Sequence, residues 1–303
     1  MHEILDHLSP GSRVLDLGSR GGSFKAEDYP NLLLFAADLG SPGSVQPELR
    51  FLRADAGSLP FRSRSFDAVI LNHSLEHFER LTPALQEIGR VVKADGAVYV
   101  AVPDATTFSD RLYRKVFRDR GGHVNLFGSS THLSETLSWY FGLPLAGSRT
   151  LHASLTFLNR RVVGPGPRRI PWTRLPEPAV ALFTAFLRMA DNVFGTRLSV
   201  YGWALYFGCL KEAVDAEVRT NICVRCGQAH PADWLDHIGA VQRHRWLPAY
   251  YRCPGCSAKN FYAAEKGRRP GCDCTGRPVR LLRERPQATV RLSSSEDYGS
   301  PAQ

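Results

Sequence analysis

Residues 14–24 read VLDLGSRGGSF, and this stretch decides the fold. An apolar run suited to one buried strand carries Asp16 and gives way to Gly18, Gly21 and Gly22. Glycines at a strand end let the backbone turn tightly and lie against a ligand. A second acid, Asp38, closes the next apolar run at residues 32–37, 20 residues after Gly18. That is where a carboxylate meets the ribose hydroxyls of a bound nucleotide. A third, Asp55, follows the short run 51–53 within RADAGSLPF, where it would accept from an adenine amino group.

Further along the chain, residues 66–71 (FDAVIL) and 97–102 (AVYVAV, closed by Pro103) read as buried strands as well. Between them, Leu85, Ile88 and Val92 recur at helical spacing within residues 81–92. The alternation predicts an α/β protein with a Rossmann-like, doubly wound, mostly parallel sheet and helices on both faces. The three acids then share the strand-end edge that forms the ligand crevice. Downstream, residues 105–118 and 133–141 are predicted as helices, 151–163 as a strand, 178–192 as a helix and 199–209 as a last buried strand. The 178–192 helix reads as a core or lid element, with a surface for a lipid-linked acceptor or a membrane as the sharper reading.

The stretch 14–102 resembles the class I S-adenosylmethionine (SAM) dependent methyltransferases, in particular the type 11 group. The resemblance rests on the DLG of residues 16–18, on Asp38, and on LPFRSRSFDAVILNHSLEHF at residues 59–78. It implies SAM as cofactor, with Gly18, Ser19 and Gly21 facing the methionine part. Asp16 and Asn72 belong to the same site, Asp38 and Leu39 to the ribose, and Asp55 and Ala56 to the adenine. The sequence departs from the family pattern at Arg20, where a glycine is expected, so Gly21 takes over that turn. The helix after the loop is also expected to be truncated, because Tyr29-Pro30 and the next strand arrive early. A nicotinamide-dependent dehydrogenase is the rival for a glycine loop, but it needs a glycine at position 20 and gives no reason for Asp55.

Methyl transfer from a sulfonium needs alignment and exclusion of water more than a catalytic dyad. Two histidines are candidates for taking a proton from the acceptor: His73, at the end of the fourth strand, and His123, in GGHVNLF. The competing reading of each is a hydrogen-bonded structural histidine. Glu76 and His77 are expected to brace the cofactor loop, and Asp104 is a weaker candidate still.

A second chemistry follows. Cys223, Cys226, Cys253 and Cys256 form C-x2-C…C-x2-C, a pattern that places four thiolates around a tetrahedral Zn2+. Four protein ligands leave no open position, so the metal is expected to be structural. Gly227 suits the turn after the first pair. The spacer holds Trp234, Trp246 and three histidines, His230, His237 and His244, any of which could replace a cysteine. Free cysteines or a redox pair is the alternative. Cys272 and Cys274 read as a second weak site or spare thiols, and Cys209 as core. The expected organisation is a methyltransferase domain at 1–210, a linker at 211–220, a zinc-ribbon-like module at 221–262 and a disordered basic tail at 263–303.

With 303 residues, 43% hydrophobic, the chain has room for one full α/β domain and something smaller. The start MHEILDHLSPGSRV lacks a signal-peptide pattern and no apolar run is long enough for a membrane span, so a cytoplasmic location with reduced thiols is expected. Net charge is +9, and the C-terminal third is the denser in basic residues. The favoured function is methylation of a small-molecule, glycan or lipid-linked acceptor. An RNA methyltransferase whose zinc module and basic tail hold nucleic acid is the second reading, and a non-catalytic SAM-fold protein that recruits a partner is the third.

Overall fold

The computed structural model describes residues 1–19, 22–41, 46–118, 122–162, 167–211, 214, 220–245 and 248–263. Seven strands form the main sheet: β1 (Arg13–Leu17), β2 (Leu33–Asp38), β3 (Leu49–Arg53), β4 (Phe66–Asn72), β5 (Val92–Pro103), β6 (Leu145–His152) and β7 (Val200–Gly208). Their order is β3-β2-β1-β4-β5-β7-β6. The first five are parallel, and β7 runs antiparallel between β5 and β6. The strand order reverses between β1 and β4, so a crevice opens outside their carboxyl ends.

The two sheet faces are covered differently. On one, Leu15, Leu17, Val69, Leu71, Val98 and Val100 pack under helices α2 (Leu81–Val91) and α4 (Ser130–Phe141). Helix α2 presents Ala84, Leu85, Ile88 and Val91, the stripe that the 3.6-residue repeat requires. Ser129 caps α4 by accepting from the His132 amide, and Gly142, at φ +65°, ends it. The other face is lined by small residues, Ala36, Ala68, Ala97, Ala101 and Ala204, together with Tyr99 and Tyr206. Among the described residues it is covered by the four-residue helix α1 (His2–Leu5) with Leu8, by Phe24, Ala26, Tyr29 and Leu32 of the chain between β1 and β2, and by Leu210 and Val214 beyond β7. The helical cover expected on this face is short, being α1 and the 3-10 turn Ala26–Asp28. An alanine-lined face leaves little depth to fill, so a thin layer suffices. The truncation expected after the glycine loop is extreme: among the described residues only a 3-10 turn, Ala26–Asp28, remains there.

A correction concerns β6. It spans Leu145–His152, not 151–163, and Thr156–Leu158 form a 3-10 turn instead. Edge strands expose one face and one side, so LAGSRTLH need not be apolar. The apolar Leu155 and Leu158 pack with Val116 and Phe117, at and after helix α3 (Phe108–Val116), and with Val180, Ala181 and Leu187 of helix α5 (Glu177–Phe194). Cys209, expected in the core, is exposed just past the end of β7. Along α5, Leu182, Phe186, Met189 and Val193 face outward.

Residues 220–263 build two small sheets, β8 (Thr220–Ile222) with β9 (Ala229–Pro231), and β10 (Val241–Gln242) with β11 (Tyr250–Arg252) and β12 (Lys259–Phe261). Helix α6 (Ala232–His237) lies between β9 and β10. This part is packed against α5: Val224 and Phe261 join its apolar cluster. Arg225 donates to both Glu177 oxygens, at 2.5 and 2.6 Å, and buried Asn159 donates to the Val224 carbonyl at 3.0 Å. Trp246, Cys272, Cys274 and the expected basic tail beyond residue 263 lie outside the described residues, as does most of the expected linker.

Candidate functional site

The crevice edge gathers the residues singled out at the strand ends. Gly18 follows β1 at φ +77° and donates its amide to the Ala37 carbonyl at 2.8 Å. A Cβ there would lie 2.6 Å from the Ser74 Cβ, so the loop runs hard against the turn after β4. Asp16 is wholly buried, and its carboxylate accepts from the Ser23 amide (2.6 Å) and hydroxyl (2.8 Å). It therefore ties the far side of the glycine loop to β1. Burial lifts its pKa to about 6, against the opposing pull of the Ser23 donors. Ser19 is half-buried beside it; Arg20 and Gly21 lie outside the described residues.

Asp38 ends β2 half-buried, its Oδ1 accepting from the Gly40 amide at 2.8 Å, with Leu39 exposed next to it. Asp55 repeats the arrangement after β3: its Oδ1 accepts from the Gly57 amide at 2.8 Å, and Ala56 is buried. The two acids are carried on adjoining parallel strands, with Asp38 paired in register to Arg53. Asn72 closes β4 half-buried.

Past Asn72 the chain enters a tightly built corner. His73 adopts φ +56°, an uncommon conformation for a side-chain-bearing residue, and its ring lies 5.3 Å from that of Tyr201. Its Nδ1 is 3.7 Å from Glu76 Oε1. Residues Leu75–His77 form a 3-10 turn that a distant segment holds from outside. The amides of Val124 and Asn125 donate to the Glu76 carbonyl at 2.9 and 3.1 Å, and Asn125 Nδ2 donates to the Leu75 and Phe78 carbonyls. His123, buried, stacks on Tyr113 with ring centroids 4.9 Å apart. Burial, with Glu76 and Asp110 nearby, pushes the Tyr113 phenol up to about 12 and the Tyr201 phenol well above its ordinary value. The structure thus brings His73, Glu76, His77 and His123 into one corner. Asp110, Tyr113 and Tyr201 were not singled out in the sequence, because nothing in their spacing ties them to it. Asp104 is buried apart, accepting from the Thr106 amide and hydroxyl and from Arg197.

Across the molecule, one sulfur from each of Cys223, Cys226, Cys253 and Cys256 lies within 4.8 Å of the other three. Two matching knuckles produce this. The Gly227 amide bonds the Cys223 carbonyl at 2.9 Å and the Ser257 amide bonds that of Cys253 at 2.7 Å. Gly227 and Ser257 both take positive φ. Cys223 Sγ accepts from the Arg225 amide at 3.4 Å. His230 Nε2 approaches Cys253 Sγ at 3.3 Å and stacks on Trp234, while His237 and His244 are exposed.

Residues 11–100, which span β1 to most of β5, match the family described as "Methyltransferase domain". A demethylmenaquinone methyltransferase of Renibacterium salmoninarum is 33% identical over 117 residues, covering 36% of this chain and 48% of the relative. A malonyl-[acyl-carrier protein] O-methyltransferase of Methylococcus capsulatus is 28% identical over 150 residues, covering 43% and 52%. The chain spans about half the length of these curated relatives. The YcgJ protein of Bacillus subtilis superposes with a TM-score of 0.44 at 19% identity, covering 68% of this chain and 95% of that one. The family match thus lies on the part of the chain that carries the glycine loop and the strand-end acids. Among the described residues, no helix is long and apolar enough to cross a membrane.

Proposed function

We propose that this protein is a SAM-dependent methyltransferase acting on a small-molecule, glycan or lipid-linked acceptor. The observation that carries the reading is the pair of carboxylates, Asp38 and Asp55, on adjoining strand ends beside the Gly18 loop. Each has one oxygen fixed by an amide two residues on. Two carboxylate acceptors so placed fit the hydroxyls and amino group of the cofactor. Asp38 with Leu39 would hold the ribose, Asp55 with Ala56 the adenine, and Gly18, Ser19 and Gly21 the methionine part. Asn72 borders the same crevice, and Asp16 orders the loop from below. When bound, SAM supplies an already activated methyl group. The chain's own part is to align the acceptor, exclude water and accept a proton, a role for His73 and His123 in the corner beyond β4. Residues 1–210 form the catalytic part in this reading. Residues 221–262 form a zinc-ribbon-like module whose four cysteines hold a structural Zn2+.

Asp38→Ala removes a charged acceptor from two hydroxyls and is expected to weaken SAM binding by about 1.5–3 kcal/mol. Isothermal titration measures it. Asp55→Ala is expected to cost less, because an amino group on adenine is neutral. Unchanged affinity in Asp38→Ala would sink the ribose assignment, and a larger loss at Asp55 would reverse the two roles. The acceptor class is tested by transfer from labelled SAM into small-molecule, lipid and RNA fractions of cell extract. Label in the RNA fraction alone overturns the acceptor stated here, and label in none favours a non-catalytic SAM-binding protein.

A further inference from the structure

We propose that Glu76, His77 and His123 form a second metal site, an open one, for a divalent transition-metal cation. One ligand atom of each lies within 4.8 Å of the other two. The three come from two segments that are firmly clamped together, because the amides of Val124 and Asn125 both end on the Glu76 carbonyl.

The orientation of the two rings is the stronger argument. His77 Nδ1 sits 2.9 Å from the Gly122 carbonyl, which can only accept, so the proton is on Nδ1 and the Nε2 lone pair is left for a ligand. His123 Nδ1 faces the carboxylate oxygen Asp110 Oδ1 at 3.3 Å, out of hydrogen-bond alignment but close enough for its charge to favour a proton on Nδ1 over Nε2. A carbonyl behind one imidazole and a carboxylate behind the other is the outer arrangement that fixes the tautomer of metal-ligating histidines. Asp110 is itself anchored, with Arg114 at 2.6 Å from its Oδ2.

The charge balance points the same way. Glu76 is 1% exposed, and its Oε2 has no hydrogen-bond partner; Asp110 Oδ1 has none either. An unpartnered buried carboxylate is costly, and a cation removes the cost. His73 Nδ1, at 3.7 Å from Glu76 Oε1, is too far to supply a hydrogen bond. Two imidazole nitrogens and one carboxylate oxygen suit Mn2+, Fe2+, Co2+ or Zn2+ better than Ca2+ or Mg2+. Three protein ligands, unlike four thiolates, leave a position for an outside oxygen. That oxygen would come from a hydroxyl-bearing acceptor, whose proton then falls to His73, because the metal takes the His123 Nε2 lone pair. This use rests on the methyltransferase reading, whereas the metal binding does not.

Mn2+ is the probe, because thiolates select softer metals and the cysteine cluster should ignore it. The full-length chain and His77→Ala are saturated with Mn2+, and free Mn2+ is read by electron paramagnetic resonance. Total metal is then measured after gel filtration. The wild type is expected to carry about one more divalent ion per chain than His77→Ala, as a three-ligand site requires. His77 is exposed, so its loss should spare the fold, which circular dichroism checks. Asp110→Asn is expected to weaken Mn2+ binding by roughly 10–100-fold through His123. Equal metal content in the wild type and His77→Ala overturns the site, as does an Mn2+ affinity that neither variant changes. SAM binding without Mn2+ binding overturns this inference alone. Mn2+ binding without SAM binding overturns the methyltransferase reading alone.

Discussion

Serine at Cys223 is expected to strip the metal from the four-cysteine cluster and to open residues 221–262 to protease. The strands there are two or three residues long, and their apolar cluster is small, with Leu235, Tyr251 and Ala258 its main buried members besides the cysteines. Such a segment cannot order itself by burial alone. A structural Zn2+ held by four thiolates supplies on the order of 10–16 kcal/mol, which then doubles as folding free energy. Cys223 and Cys253 are the buried pair, so a serine at Cys223 also leaves a hydroxyl among sulfurs. Metal analysis should fall from about one zinc per chain at this cluster to none, and Cys209→Ser should retain the metal. Retention of the metal by Cys223→Ser would dismiss the four-thiolate site. Damage should also spread in one direction. Asn159 loses the carbonyl of Val224, and Glu177 loses Arg225, so the next cuts are expected between residues 159 and 177. SAM affinity should persist, since Gly18, Asp38 and Asp55 stand at strand ends of the main sheet, outside this part of the chain.

Asp16→Asn is expected to stabilise the ligand-free protein at neutral pH by up to about 3 kcal/mol. The folded carboxyl titrates at about 6, above its unfolded value of 3.8, because burial penalises the charged form. Asp16 therefore favours the folded state fully below 3.8, and this contribution is lost as pH rises through about 6. A gap of about two between the folded and unfolded pKa corresponds to about 3 kcal/mol. An amide at this position stays neutral and can still accept from Ser23. Denaturant unfolding at pH 4 and pH 7 should therefore show the wild type losing stability across the interval relative to the variant. Parallel behaviour of the two would mean that Asp16 carries no stored cost.

The readable parts of the fold are those buried on both sides. β1, β4 and β5 announce themselves as apolar runs, because a strand covered above and below has no polar face to show. The stripe of α2 is equally plain. β6 is not where the apolar pattern puts it, because its outer edge tolerates Gly147, Ser148 and Arg149, while the more apolar 155–158 stretch serves a different cluster. The thin cover of the second face is legible only in part. The early Tyr29-Pro30 foretells a missing helix, but the alanines that make it dispensable are scattered over four strands. The cysteine cluster follows from spacing alone. The Glu76–His123 corner does not, since Asp110, Tyr113 and Tyr201 reach it through tertiary packing of α3 and β7. Without those neighbours, Glu76 and His77 read as no more than a brace.

The placement of β7 also constrains how the chain is made. Every residue of the glycine loop and both strand-end acids have left the ribosome long before residue 200. Yet the partner of Val98 is Phe207, and that of Val100 is Leu205. Until they arrive, β5 presents an unpaired edge along eight consecutive buried residues. An edge of that length and apolarity is a template for another chain. Fragments that stop before Val200 keep every residue proposed to hold the nucleotide and are expected to self-associate through β5. The yield of folded protein is accordingly expected to follow how quickly the last strand inserts.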